Sequence, residues 1–363
     1  MRPTLLAAVV LVFLAACDDA PLDLDAGPPP SGDAGPGSAD AGDSPMDAGD
    51  SDAGDSPTDG GVADAGPPAI CPPGTFALDL SGVSLAPVAG VPIDDGFADG
   101  FSIVEGPVWA RGALYVSHFP GGEAPPSRIY RVDPSGDVTI AAPDAGVNGL
   151  ALGPDGRLYG GRHADGSVSV FDWDDLTATP TAVVSTYMDA RFNSPNDLAI
   201  RSDGTLYFSD PGWQSPRPEP QAARRAYRVE PDGTIHEIPD PPDRPNGVTL
   251  TADERTLFIS GTDGLRRYEL DADGAVTAGP MNVDAVSGGL DGLGLDCAGN
   301  LYVTGGDQVV VLDPSLSRVG SLSAPGATNV AFGGADRRTL YVTTLGSEAG
   351  LLSATLNVPG YPY

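Results

Sequence analysis

One plan recurs six times along this chain, and it limits the fold more than any other feature. Each copy opens on a side chain that carries an oxygen, runs through an apolar alternation and a turn, and ends at Leu-Tyr or a close relative. The copies are EGPVWARGALYV from Glu105, NGLALGPDGRLYG from Asn148, NDLAIRSDGTLYF from Asn196, NGVTLTADERTLFI from Asn246, DGLGLDCAGNLYV from Asp291 and NVAFGGADRRTLYV from Asn329. Their starts lie 38 to 50 residues apart. Alternation with a period of two on either side of a turn such as Asp203-Gly204 is the pattern of a β-hairpin. Each hairpin is followed by a further alternating segment, for example RIYRVD from Arg128, AYRVE from Ala226 and QVVVLD from Gln308. Repeats of this length with about four strands each are propeller blades, so the pattern predicts an all-β, six-bladed β-propeller. The last copy runs short of sequence after Leu356, whereas TFALDLSGV at 75–83 precedes the first copy and is unpaired. That segment is expected to complete the last blade and remove an exposed sheet edge.

Ahead of the repeats the chain changes character twice. Residues 1–17, MRPTLLAAVVLVFLAAC, have a positive start at Arg2 and an apolar stretch too short to anchor as a membrane span. The ending Leu14-Ala15-Ala16-Cys17 resembles the bacterial lipobox, which makes Cys17 the lipidation site and acyl chains the membrane attachment. The protein is therefore expected to be exported and lipid-anchored at the bacterial cell envelope. Residues 18–70 carry 13 Asp with no basic and no aromatic residue, in repeats such as DAGDSP. Such a stretch buries too little apolar surface to offset its conformational entropy and reads as a disordered acidic tether. The folded domain is then 71–363. It holds Cys71 and Cys297, which an exported protein could join or keep as two buried thiols.

The formal net charge is −31, and all 19 basic residues are arginine with no basic patch, which argues against a nucleic-acid partner. A cation, or a small ligand held through one, suits this balance better. In a propeller the first strand of each blade lines the central channel, so the six opening residues converge: Glu105, Asn148, Asn196, Asn246, Asp291 and Asn329. Asn and Asp also open strands for turn geometry alone, but Glu105 does not fit that explanation. A ring of oxygens favours a hard divalent cation, calcium first, then magnesium or manganese. Zinc, a further alternative, prefers nitrogen or sulfur ligands that this set lacks. The chain has no GxSxG elbow, no HExxH and no lysine for a P-loop. Of its three histidines, His118 and His163 each follow a repeat hairpin and His236 lies in an outer strand; His163 is the candidate for substrate contact. Trp213, after Asp210-Pro211, is a candidate aromatic cover for a pocket.

The motifs EGPVW, NSPNDLAIRSDGTLYFSDP, PNGVTLTADERTLFIS and LDGLGLDCAGNLYV closely resemble the senescence-marker-protein/gluconolactonase/luciferin-regenerating-enzyme family of six-bladed propellers, over about residues 98–350. The resemblance implies a divalent metal at the channel mouth held by Glu105, Asn246 and Asp291, with Asn196 as a ligand or close substrate contact. It implies hydrolysis of a small-molecule lactone or related ester by a monomer, the metal polarising the carbonyl and Asp291 serving as the base, with Asp197 as an alternative. The segment Gly161-Arg162-His163 lacks the acidic residue that many lactonase members carry before this histidine, so the substrate wall is expected to differ. The competing expectation is a surface-tethered propeller that binds a glycan or protein without catalysis and keeps a structural calcium.

Overall fold

Apolar residues at every second position give each strand one apolar face, yet second strands such as Ala113–Pro120, Leu206–Asp210 and Thr256–Gly261 are buried on both. The computed structural model describes residues 71–98 and 100–361, and among these there is no helix. The leader through Cys17 and the 18–70 segment lie outside the described residues. Each repeat hairpin forms the inner half of an antiparallel four-stranded blade. The innermost strands, in chain order, are Ser102–Ala110, Val147–Leu152, Leu198–Ile200, Val248–Leu250, Leu293–Leu295 and Ala327–Gly333. Each touches the next, and the last touches the first, so the six blades close a ring about one axis.

No blade owns a core. Six apolar clusters lie one between each pair of neighbouring blades. Val108, Tyr115 and Ile129 of the first blade meet Val147, Leu158 and Phe171 of the second. Around the ring, Leu351 of the last blade returns to Val104, Leu114 and Tyr130 of the first. Each large side chain buried this way contributes roughly 1.5–3 kcal/mol, but only when the adjacent blade is present.

The ring closes on the last blade, as the sequence suggests, but through different residues. The outermost strand there is Ala86–Pro87, paired with Leu351–Thr355 in the register Ala86↔Ser353 and Pro87↔Leu352. Segment 75–83 is not a strand. A turn interrupts it: the Val83 N–H donates to the Leu80 carbonyl at 3.1 Å, and Gly82 takes a φ of +72°. Its apolar residues Leu78, Leu80 and Val83 instead pack on the cluster between the fifth and last blades. The last and first blades are also hydrogen-bonded directly, at Ser102↔Gly346 and Ile103↔Leu345. Cys71 and Cys297 are joined, with Cα atoms 5.6 Å apart, tying the start of the domain to the hairpin turn of the fifth blade.

Near the axis the innermost strands approach too closely for side chains. A Cβ placed at Gly106 would lie 2.6 Å from the Asn148 carbonyl oxygen, and Gly149, Gly247 and Gly292 occupy the same place in their repeats. A series of hydroxyls then links five of the six blades to the next. Ser117 donates to the Asn148 carbonyl at 2.6 Å, Ser209 to that of Asn246 at 2.5 Å, and Ser260 to that of Asp291. Thr304 reaches the Thr328 carbonyl at 2.6 Å, and Thr328 reaches Val104 in the first blade at 2.7 Å. The second blade has Gly161 at the matching position, where the Asn196 carbonyl leaves no room for a Cβ.

Two consequences are measurable. Ser209→Ala strands the buried Asn246 carbonyl and lowers stability by about 1–3 kcal/mol in urea unfolding. Cys71→Ser frees a loop of 226 residues. By loop-closure entropy it lowers stability by up to roughly 5 kcal/mol, seen as a lower midpoint in calorimetry.

Candidate functional site

The tight packing drives the opening residues of the repeats into a small polar group on the axis. Glu105 is buried, and its Oε2 accepts from the Gly106 N–H at 2.6 Å and from Asn329 Nδ2 at 3.2 Å. Its carboxyl is hydrogen-bonded to that of Asp291, which also receives the Asn246 amide. Asp197 completes the group, its oxygens accepting from the Leu198 and Val248 N–H groups, each at 3.0 Å. Burial is the main cause of raised proton affinity in all three. Glu105 is pushed up to about 8, with the Asp197 charge adding to burial. Asp291 is raised by burial, then by Glu105 and Asp197. Asp197 is pushed up to about 7 by burial, against the pull of its backbone donors.

Of the residues predicted from sequence, the structure thus brings Glu105, Asn246 and Asp291 into one hydrogen-bonded set. Asn196 starts the next inner strand, its N–H bonded to the Ser209 carbonyl and its own carbonyl to the Gly149 N–H, both at 2.9 Å. Among the described residues its side-chain amide has no hydrogen-bond partner. Asn148 donates through Nδ2 to Gln214 Oε1 at 3.3 Å, while its buried Oδ1 has no partner.

The donor set is entirely oxygen. Among the described residues no three Asp, Glu, His or Cys side chains form a metal-binding group by themselves. A cation here would therefore need Glu105 and Asp291 together with amide oxygens of Asn196 and Asn246. The electrostatics suit one. Two buried carboxyls in contact must share a proton, and a divalent cation relieves the same repulsion with both ionised.

A space of only 50 Å³ lies against Asp197 and Asn329 and is lined also by Trp109, Leu150, Leu198, Val248 and Leu293, which is room for about one or two waters. A cavity of 940 Å³ lies between outer strands of the second and third blades, lined by Tyr159, Phe171 and Trp173, and includes none of the axial residues. On the loop side, residues 211–224 of the third blade cross the second blade. The Gln214 carbonyl accepts from the Ala124 N–H of the first blade at 2.7 Å, and its side chain holds Asn148. Trp213, beside it, is 38% exposed. The root of this loop and the segment leading to Asn196 are fixed together by Asp210, which accepts from the N–H groups of Asn193 at 2.8 Å and Ser194 at 2.5 Å. Asp210 and Gln214 escaped the sequence reading. Asp210 stands in the quoted motif, but its partners are backbone groups on another strand.

The histidines are spent on the scaffold. His163 is fully buried, its Nε2–H donating to the Pro125 carbonyl at 2.8 Å and its ring packing on Phe119. His118 meets the Tyr130 hydroxyl at 3.1 Å, and the partly exposed His236 meets Glu230 at 2.9 Å. Burial pushes both His118 and His163 down to about 4.

Comparison with known proteins adds to this geometry. Residues 103–346 match the family described as the SMP-30/Gluconolactonase/LRE-like region. A gluconolactonase of Zymomonas mobilis is 30% identical over 265 residues, covering 63% of this chain and 72% of the relative. A pentonolactonase of Haloferax volcanii is 28% identical over 256 residues, covering 67% and 82%. Among solved structures, a gluconolactonase from Xanthomonas campestris superposes with a TM-score of 0.64 at 27% identity, covering 76% of this chain and 91% of that one.

The burial of His163 has a signed effect on stability. Its folded pKa is about 4 against an ordinary 6.5. Below 6.5 the unfolded chain takes up a proton that the folded chain refuses. The stability His163 contributes is thus fully present above 6.5 and lost as pH falls towards 4. Relative to His163→Gln, the native protein should lose roughly 1–3 kcal/mol between pH 7 and 4.5, measured by urea titration at each pH.

Proposed function

The chain belongs to the SMP-30/gluconolactonase/LRE-like family, and from that premise we propose that it hydrolyses small-molecule lactones with the help of a divalent cation. The observation that carries this reading is the buried contact of Glu105 with Asp291 at the one point where all six blades converge. The gluconolactonase and pentonolactonase relatives support the lactone as the substrate class.

Glu105, Asn246 and Asp291 would hold the cation, with Asn196 beside them, and calcium best suits an all-oxygen set of this kind. When bound, the cation supplies Lewis-acid polarisation of the lactone carbonyl and charge for the developing oxyanion. The protein's own groups do the rest. Asn196 and Asn148 offer amides to the ring and carbonyl of the substrate, and Gln214 sets the orientation of Asn148. Trp213 covers one face of the ring. Asp291, whose burial raises its proton affinity, takes the proton of the attacking water. Asp197 is committed to two backbone N–H groups and keeps the neighbouring strand in register. His163 is assigned to the scaffold. The activity is placed at the bacterial cell envelope, with Cys17 as the lipidation site, 18–70 as the tether and the propeller acting as a monomer.

The test is acid release from glucono-1,5-lactone in a pH-stat. Turnover should vanish with chelator and return most fully with calcium when calcium, magnesium, manganese and zinc are compared. Asp291→Asn should lower kcat by about a hundredfold or more with an unchanged circular dichroism spectrum. Absence of turnover on any sugar lactone, with each metal supplied, would sink the proposal.

A further inference from the structure

Most of the described arginines pair with a carboxylate, as the charge balance demands. Arg244 is an exception at a telling place. It lies two residues before Asn246, half-buried, with its guanidinium carbon 4.4 Å from the centre of the Trp213 ring. None of the ion pairs among the described residues includes it. The nearest shielded acid, Glu219, is engaged by both Arg217 and Arg224, the latter at 2.9 Å. The adjacent Asp243 accepts from the Thr262 hydroxyl at 3.0 Å. Burial and then the neighbouring Arg224 work against the charge of Arg244, while Glu219 and Asp243 favour it without forming an ion pair with it. The backbone also bears a cost, since Arg244 holds a left-handed φ of 45°, which residues other than glycine rarely adopt.

A half-buried guanidinium stacked on an aromatic face, with no ion pair of its own, can receive an anion. Stacking leaves the donor edge of its planar fork free, and that edge matches a carboxylate. Trp213 adjoins Gln214, whose side chain holds Asn148, and Arg244 precedes Asn246 by two residues, so the stacked pair joins the loops next to two of the axial residues.

We propose that Arg244, braced on Trp213, selects lactones that carry a second, free carboxylate, such as the monolactones of sugar diacids. This rests on the lactone-hydrolase reading and names the substrate class for the same site. In a chain of net charge −31, an anionic substrate is repelled at long range, so a local unpaired cation decides whether it docks.

The test compares kcat/KM of the full-length protein on an aldarolactone and on the aldonolactone with the same ring, at low ionic strength. The native protein should favour the aldarolactone by about tenfold or more, mainly through KM. Arg244→Gln should bring the ratio near unity, Arg244→Lys should keep part of it, and added salt should erode it. Equal rates on both lactones in the native protein, or an undiminished preference in Arg244→Gln, overturn the assignment. If neither lactone is turned over, the hydrolase reading fails, and calorimetric titration with the open-chain aldarate still judges Arg244. Binding by the native protein that is lost in Arg244→Gln supports the assignment. No binding, or equal binding in both, overturns it.

Discussion

Six innermost strands meet so closely at the axis that a methyl group at Gly106 would collide with the backbone of the next blade. Much else follows from that approach. Carbonyls of one blade come within reach of hydroxyls on the previous one, so Ser117, Ser209, Ser260, Thr304 and Thr328 link the blades where apolar packing leaves off. The opening side chains of Glu105, Asn246 and Asp291, with nowhere else to go, gather at the axis. Carboxyls that would ionise freely in water are held there with raised proton affinity, and the Asn196 amide stands beside them without a partner among the described residues. The chemistry proposed for this protein is in that sense a by-product of how tightly the ring is drawn.

The same geometry governs stability. Because the apolar clusters lie between blades, removing one blade strips a face from each of its neighbours. A linear array would expose two such faces; the closed ring exposes none. Closure takes a two-residue outer strand at Ala86–Pro87, a direct pairing of the last blade with the first, and the packing of Leu78, Leu80 and Val83 against the fifth and last blades. Small contributions at the seam therefore protect a large buried area.

How far the sequence foretells this depends on whether a feature repeats. The hairpins, the six-fold count and the axial residues were legible because one register carries each of them to the same place in every blade. Four of the five linking hydroxyls were legible in principle, since Ser117, Ser209, Ser260 and Thr304 stand just beyond the Leu-Tyr pattern; in the last blade Thr343 stands there, but its partner Thr328 makes the link. Features that occur once were harder. Segment 75–83 alternates like a strand, but Ser81-Gly82 turns it, and its apolar residues pack rather than pair. Arg244 and Gln214 lie on loops whose course is set by contacts with other blades, which no local pattern encodes. The pairing of Cys71 with Cys297 stayed open for the same reason, because only the closed ring brings the two together.

That covalent link also decides how force would pass through the molecule. The strand that seals the ring is short and held by few hydrogen bonds, and it lies only 15 residues after Cys71. A pull on the chain ahead of residue 71 would otherwise peel it from the edge, one bond at a time. With Cys71 bonded to Cys297, the load bypasses the seal and enters the fifth blade at its hairpin turn. There it meets a sheet whose strands would have to shear together. The seam of the ring is thus mechanically isolated from whatever holds the protein in place.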